Sequence, residues 1–181
     1  NGQVSLRKTE KTFMSHHKAL ARFDQVVVST EPLESKVRYL FPGVEVLVIP
    51  NTVHYSWYKS TLTAPVQREQ KILTYFPGTR SHDKDFAMIK APLAEFLHEH
   101  PEVQLKITGV LNSSLQCRPG QLVKCEKQTF RLYKQHVYKS WLNIAPLEET
   151  EFNKHKSAIK VIEAGYWNTP TVASPIPDVK R

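Results

Sequence analysis

Apolar residues along this 181-residue chain fall into two alternating patterns. Short runs rich in β-branched residues, apolar on both faces, alternate with longer stretches whose apolar positions recur with a helical period. The runs "DQVVVST", "VEVLVIP", "KILTYF", "VQLKITG", "SWLNIAPL" and "TPTVAS" are of the first kind, and "QLVKC" is a weaker member. Between them, residues 8–22 predict a basic amphipathic helix with Phe13, Ala19 and Leu20 among its apolar positions. A second helix starts behind Ser29 or Thr30 as N-cap, takes Pro32 into its first turn, and runs to about Leu40 before "FPG" ends it. "FAMIKAPLAEFLHEH" and the residues around 127–137 read as further helices. Residues 51–69 hold no clean period and contain a proline, so they read as a linker or crossover.

Strands and helices alternating at this spacing, with the strands apolar on both faces, predict a parallel sheet covered by helices. The fold class expected is α/β, Rossmann-like. Tandem repeats, coiled-coil heptads and low-complexity stretches are absent from the sequence.

The stretch "EFNKHKSAIKVIEAGYWNTPTVAS", residues 151–174, reads as one helix followed by a strand. Asn153 is the expected N-cap and Gly165 the expected stop. On a helical wheel Ala158, Ile159, Val161, Ile162 and Tyr166 share one arc, while Lys156, Lys160 and Glu163 cluster opposite at roughly 0°, 40° and 340°. A solvated charged face accounts for that cluster by itself. Lys154, His155 and Lys156 nevertheless sit at a helix start, where the dipole favours acidic side chains. Because this helix follows the strand "WLNIAP", its start lies at the carboxyl edge of the sheet, where open α/β sheets bind ligands. Free backbone N–H groups, Lys156 and the Ser157 hydroxyl at such a place make an anion site, and a diphosphate would resolve the dipole conflict. Glu163, two turns on, is an acceptor-only carboxylate suited to a pair of sugar hydroxyls.

Charge points to classes of partner. Lys and Arg number 25 against 17 Asp and Glu, a formal net charge of +8. Such an excess draws nucleotides, nucleic acid or an anionic membrane. Segment 118–139 concentrates it, with Arg118, Lys124, Lys127, Arg131, Lys134 and Lys139 against Glu126. That stretch suits an anionic membrane surface or the route of a pyrophosphate-linked lipid acceptor, while Phe130, Tyr133 and Tyr138 within it read as core aromatics. No recognised DNA- or RNA-binding motif accompanies the charge, so nucleic acid is not expected as a partner.

Two cysteines, Cys117 and Cys125, and scattered histidines show no metal-ligand spacing, and neither a metal nor a cofactor is expected. Few cysteines, no signal-peptide core and no apolar run of roughly 18 residues suggest a cytoplasmic protein. The chain opens at Asn1 in mid-pattern, which reads as a fragment or a processed product.

In the loop "PGTRSHDKD", Gly78 lets backbone approach a ligand closely. Thr79, Arg80 and His82 are placed to contact phosphate or sugar, with Asp83 and Asp85 orienting the basic groups. The alternative is a capped surface loop in which Asp83 or Asp85 is the N-cap of the next helix.

At this point the residues resemble a family. The pattern Phe-Asn-x-x-Lys-Ser-x-x-Lys-x-x-Glu-Ala over residues 152–164, followed by "TPTVAS", resembles the donor-binding segment of family 4 ("group 1") glycosyltransferases. "YFPGTRSHDKDF" is similar to the opening of that family's C-terminal domain, and "FDQVVVSTEPLESKV" with "VEVLVIPNTV" to the end of its acceptor-side domain and crossover. The resemblance implies the GT-B fold, two Rossmann-like domains facing each other across a cleft. Residues 1–51 would be the remnant of the acceptor-side domain, 52–69 the crossover, and 70–181 the C-terminal donor-binding domain.

It also implies retaining transfer of a sugar from a nucleotide diphosphate donor, UDP-linked by preference, to a hydroxyl acceptor without an obligatory metal. Lys156 and Arg80 would stabilise the leaving diphosphate. Gly78, Thr79, His82, Asn153, Ser157, Lys160 and Glu163 would bind the donor, with Glu163 on the nucleotide ribose. The family's signature pairs two glutamates seven residues apart. With Glu163 as the second, the first position holds His155, which leaves the sugar-contacting role unassigned. Relatives of this pattern imply bacterial O-antigen or capsular polysaccharide assembly on a saccharide or lipid-linked acceptor, at the inner face of the cell membrane. A GT-B sugar-nucleotide epimerase, a basic nucleic-acid-binding module and a non-catalytic interaction domain are the competing classes.

Overall fold

A computed structural model describes residues 6–58, 70–78 and 82–180. Helix α1 (Leu6–Leu20) leads to β1 (Gln25–Val28), α2 (Glu31–Leu40), β2 (Glu45–Val48) and the one-turn α3 (Tyr55–Tyr58). Then follow β3 (Lys71–Tyr75), α4 (Asp83–Glu99), β4 (Val103–Thr108), β5 (Leu122–Cys125), α5 (Phe130–Tyr138) and β6 (Leu142–Ala145). The chain closes with α6 (Glu151–Lys154), α7 (Ile159–Tyr166), β7 (Thr171–Ala173) and α8 (Pro177–Lys180). Every expected strand is present, and all pair in parallel.

The described residues form two sheets. β1 and β2 form a two-stranded pair with α2 against it, and Val28, Val37, Phe41 and Val46 make its core. Thr30 rather than Ser29 caps α2, its hydroxyl accepting from the Leu33 N–H, and Pro32 lies in the first turn as its missing N–H allows.

The second sheet has the order β5-β4-β3-β6-β7. Strand alternation divides its faces. Leu73 and Tyr75 meet Phe86, Leu93 and Leu97 of α4 together with Leu105 and Ile107 of β4. Thr74 points the other way, its hydroxyl donating to Ser140 Oγ at 2.8 Å beneath the end of α5. On that side Val137 and Tyr138 of α5, Ala164 of α7 and Trp167 form the core, with Phe76 from the end of β3.

Trp57 of α3 is buried in the same cluster, at 1% exposure. The segment read as an aperiodic crossover therefore contains a helical turn, anchored by one large side chain against the second sheet. Pro92 lies inside α4. The helix continues through it, at the loss of the backbone hydrogen bond that Pro92 cannot donate.

Connections leave β3 towards β4 on one side and β6 towards β7 on the other, so the strand order reverses between β3 and β6. In open α/β sheets the crevice outside the carboxyl ends at such a point takes ligands.

Candidate functional site

Two loops form the crevice walls, one after β3 and one after β6. Gly78, after β3, has φ 74 and Gly109, after β4, has φ 131, both in the region open to glycine. A Cβ on Gly109 would come within 2.9 Å of the Gly78 backbone nitrogen, so the bare backbone of Gly109 holds the Gly78 loop where it is. Thr79 and Arg80 lie outside the described residues.

Asp85 joins the two walls. It is 3% exposed, in the first turn of α4, and neither it nor Asp83 is the N-cap. That position is His82, and Asp83 accepts instead from the Asn112 N–H. Asp85 Oδ2 is 2.7 Å from His82 Nδ1, while Oδ1 accepts from the Glu148 N–H at 2.7 Å and from Asn153 Nδ2 at 3.4 Å. Asn153 Nδ2 also donates to the Glu148 carbonyl at 2.8 Å. A buried carboxylate is costly unless such donors satisfy it. Satisfied in this way, it ties the β6 loop to α4 and aims the His82 ring. Burial, then the neighbouring Lys160 charge, push the His82 pKa below its usual value, against the opposing pull of Asp85.

The helix expected over residues 153–165 is two helices. Thr150, not Asn153, caps the first, its hydroxyl accepting from the Asn153 N–H. Asn153 instead turns inward to Asp85, and α6 ends at Lys154 with His155 as C-cap. The apparent dipole conflict therefore does not arise. Lys154 lies at a C-terminus, where a cation is favoured, and Lys156 belongs to the connecting turn.

The His155 carbonyl accepts from the buried Thr30 hydroxyl at 3.0 Å, and Ser157 Oγ accepts from Asn51 Nδ2 at 2.6 Å. These long-range bonds hold the turn open, in a shape no helix could give them. Asp178 accepts from the Ala158 N–H at 2.8 Å, so one donor of the α7 start is already taken. Nor does Gly165 end α7. Asn168, with φ 53, takes the left-handed position, and the Thr169 N–H closes the turn on the Ala164 carbonyl.

Lys156, Ser157, Lys160 and His82 line one cavity of about 200 Å³, floored by Pro146 and Ser174. Lys156 Nζ lies 5.2 Å over the exposed Phe152 ring, and Lys160 Nζ 5.9 Å over the buried Tyr75 ring. Lys160 is thus turned inward, not solvated on an outer face. Burial, then the Lys156 charge, bring its pKa down to about 8, while Asp85 and Glu163 pull the other way. Lys160 makes no salt bridge among the described residues, and a half-buried cation beside a second cation favours the approach of negative charge.

Glu163 is not on the wall of this cavity. It faces α5, its Oε2 accepting from the Tyr133 hydroxyl at 2.7 Å. Burial raises its pKa, opposed by the Tyr133 bond and by Lys160. The Tyr133 partnership joins residues 30 positions apart and carries no local sequence signal. Asn51, Asp178 and the bond of Thr30 to the His155 carbonyl left no local sequence signal for the same reason.

A second, open recess of about 920 Å³ lies beyond the carboxyl ends of β1 and β2, bordered by Ser29, Asn51, His54, Tyr55 and Tyr58. Asn51 of this recess is bonded to Ser157 of the first cavity. In segment 118–139, Arg118 is bound to the His98 carbonyl and Lys124 to the Ser113 carbonyl. Tyr138 is buried and Tyr133 packed as expected, whereas Phe130 is 48% exposed. No helix among the described residues is long and apolar enough to cross a membrane.

No protein-family profile and no curated protein sequence matches the chain. Solved structures do match. TarM of S. aureus, solved as a mutant with Fondaparinux, alpha-GlcNAc-glycerol and UDP, aligns over 98% of this chain at 15% identity and a TM-score of 0.61. The pneumococcal O-GlcNAc transferase GtfA, in complex with UDP and GlcNAc, aligns over 92% at 13% identity and a TM-score of 0.59. Sucrose-phosphate synthase from Thermosynechococcus elongatus aligns over 96% at 15% identity and a TM-score of 0.59. The chain spans 34%, 33% and 47% of these proteins respectively. At such identities the likeness is one of fold: a parallel five-stranded sheet flanked by helices, as in these GT-B glycosyltransferase structures.

Proposed function

We propose that this chain carries the donor site of a glycosyltransferase, moving a sugar from a nucleotide diphosphate, UDP by preference, to a hydroxyl acceptor with retention. The observation that carries the reading is the meeting of Lys156, Ser157, Lys160 and His82 around one cavity at the strand-order reversal. A leaving diphosphate gains negative charge as the glycosidic bond breaks, and fixed cations in a partly desolvated crevice lower that barrier without a metal. Lys156, Lys160 and, from the loop after β3, Arg80 supply the cations. Ser157, Gly78 and Thr79 supply phosphate contacts, and Glu163 accepts from the nucleotide ribose.

UDP in two of the structural neighbours supports the choice of nucleotide. The open recess at Tyr55 and Tyr58 offers ring faces to a saccharide acceptor. Residues 1–51 then belong to the acceptor side and 70–181 to the donor side. Assembly of an O-antigen or capsular polysaccharide on a lipid-linked acceptor at the inner membrane face is the setting this reading favours.

Isothermal titration with UDP tests it. The Glu163→Ala variant is expected to weaken UDP binding about 10- to 100-fold, the worth of one or two hydrogen bonds to a charged acceptor. Lys156→Ala should weaken it about tenfold. Absence of UDP and GDP binding by the wild-type protein, or binding unchanged by Glu163→Ala, would refute the assignment.

A further inference from the structure

The proposed ribose contact leaves one interaction unused, the hydroxyl of Tyr133 on Glu163. A carboxylate offers two oxygens and can turn about its last torsion to meet different partners. Here Oε2 accepts from Tyr133 at 2.7 Å, which restrains the carboxylate, and among the described residues no hydrogen bond reaches Oε1. Tyr133 is itself clamped. Its ring packs edge-on against Phe76, at 5.0 Å between centroids, and lies 6.2 Å from Trp57 and 6.4 Å from Phe130. Trp57 is the buried side chain of the crossover, and Phe76 leads out of β3 towards the Gly78 loop. A rigid aromatic with only two side-chain torsions, wedged between three rings, is a preorganised support for an acceptor.

We infer that Tyr133 is the positioning residue of the nucleotide site, holding Glu163 so that its second oxygen accepts from the 2′-hydroxyl of a ribose and selects ribonucleotides over 2′-deoxyribonucleotides. This rests on the reading of Glu163 as the ribose contact. A site built to accept a hydroxyl discriminates well against the analogue lacking it, provided the acceptor cannot swing to another partner. Tyr133 also keeps the acceptor ionised. Among the described residues two groups face Glu163, the Tyr133 hydroxyl from α5 and the Lys160 ammonium from its own helix, and both favour the carboxylate against the burial that opposes it. Removing the hydroxyl leaves burial the stronger influence and moves the Glu163 pKa up, so protonation begins at a higher pH.

The test is titration of UDP and 2′-deoxy-UDP into the wild-type protein, Tyr133→Phe, Glu163→Ala and the double variant, at pH 8 and pH 6. Wild type is expected to prefer UDP about tenfold or more at both pH values. Tyr133→Phe keeps the ring packing and the fold, checked by circular dichroism, but should lose most of that preference. Its UDP affinity should also fall more steeply than the wild type's as the pH is lowered. In the Glu163→Ala background Tyr133→Phe should add nothing, the signature of action through one partner. Unchanged discrimination and pH dependence in Tyr133→Phe, or an equal loss in the Glu163→Ala background, would overturn the positioning role while leaving the nucleotide site standing. A wild-type protein that binds neither nucleotide would overturn both.

Discussion

Replacing Lys160 by Met should make the protein more stable and a poorer binder of UDP, two effects of opposite sign with a single electrostatic cause. Burial and the Lys156 charge bring the Lys160 pKa from 10.5 to about 8. The gap corresponds to roughly 3 kcal/mol spent at neutral pH to keep the ammonium charged in the fold. Partial solvent access and the lost contact with the Tyr75 ring, worth about 0.5–1 kcal/mol, reduce the expected net gain of Lys160→Met to about 1–2 kcal/mol. For a chain of this size that is a rise in Tm of about 2–8 °C at pH 7.

The sign reverses neither at acid pH nor at neutrality, because folded and unfolded chains both hold the lysine proton there. Between about pH 8 and 10.5 the unfolded chain holds more of it, so wild-type stability rises with pH and the advantage of the variant shrinks towards zero. Binding moves the other way. Losing one charge-assisted phosphate contact, about 1.5–3 kcal/mol, weakens UDP about ten- to a hundredfold. Differential scanning fluorimetry from pH 7 to pH 10, with UDP titration at pH 7, measures both. A variant less stable than wild type at pH 7, or one with wild-type UDP affinity, would refute the view of Lys160 as a cation held in readiness for a diphosphate.

Two structural predictions accompany it. Asp85→Ala removes the shared acceptor of His82, the Glu148 N–H and the Asn153 amide. It should cost about 2–4 kcal/mol by chemical denaturation and speed amide exchange at Glu148; exchange unchanged from wild type would show that the junction does not depend on it. Gly109→Ala puts a Cβ 2.9 Å from the Gly78 nitrogen on a backbone with φ 131. A loss of about 1–3 kcal/mol in urea unfolding is expected, with weaker UDP binding as the Gly78 loop shifts.

The strands, their parallel pairing and the approximate bounds of α1, α2, α4 and α5 were legible along the chain, because run length, β-branching and helical period act over a few residues; the one-turn α3 and α8 and the break between α6 and α7 were not. The apolar runs gave way to helices at the right places, and Thr30 and Pro32 marked the start of α2. Lys156, Ser157 and Lys160 were legible as a cluster for the same reason, since close spacing keeps them near one another whether or not the helix between them is continuous.

What that cluster faces is set by contacts between segments far apart in the chain. The local pattern of residues 151–166 favours one helix, and every residue within it is compatible with one. Thr30 and Asn51 pull the turn at His155–Ser157 open with hydrogen bonds spanning 125 and 106 residues, and Asp85 draws Asn153 away from a capping role. A polar bond of this kind is specified by where two distant segments meet once the sheet has formed, so it leaves no periodic trace. The same holds for Tyr133 and Glu163. Each is an ordinary residue of an amphipathic helix until α5 and α7 lie side by side over the sheet, where one hydroxyl decides which way a carboxylate points.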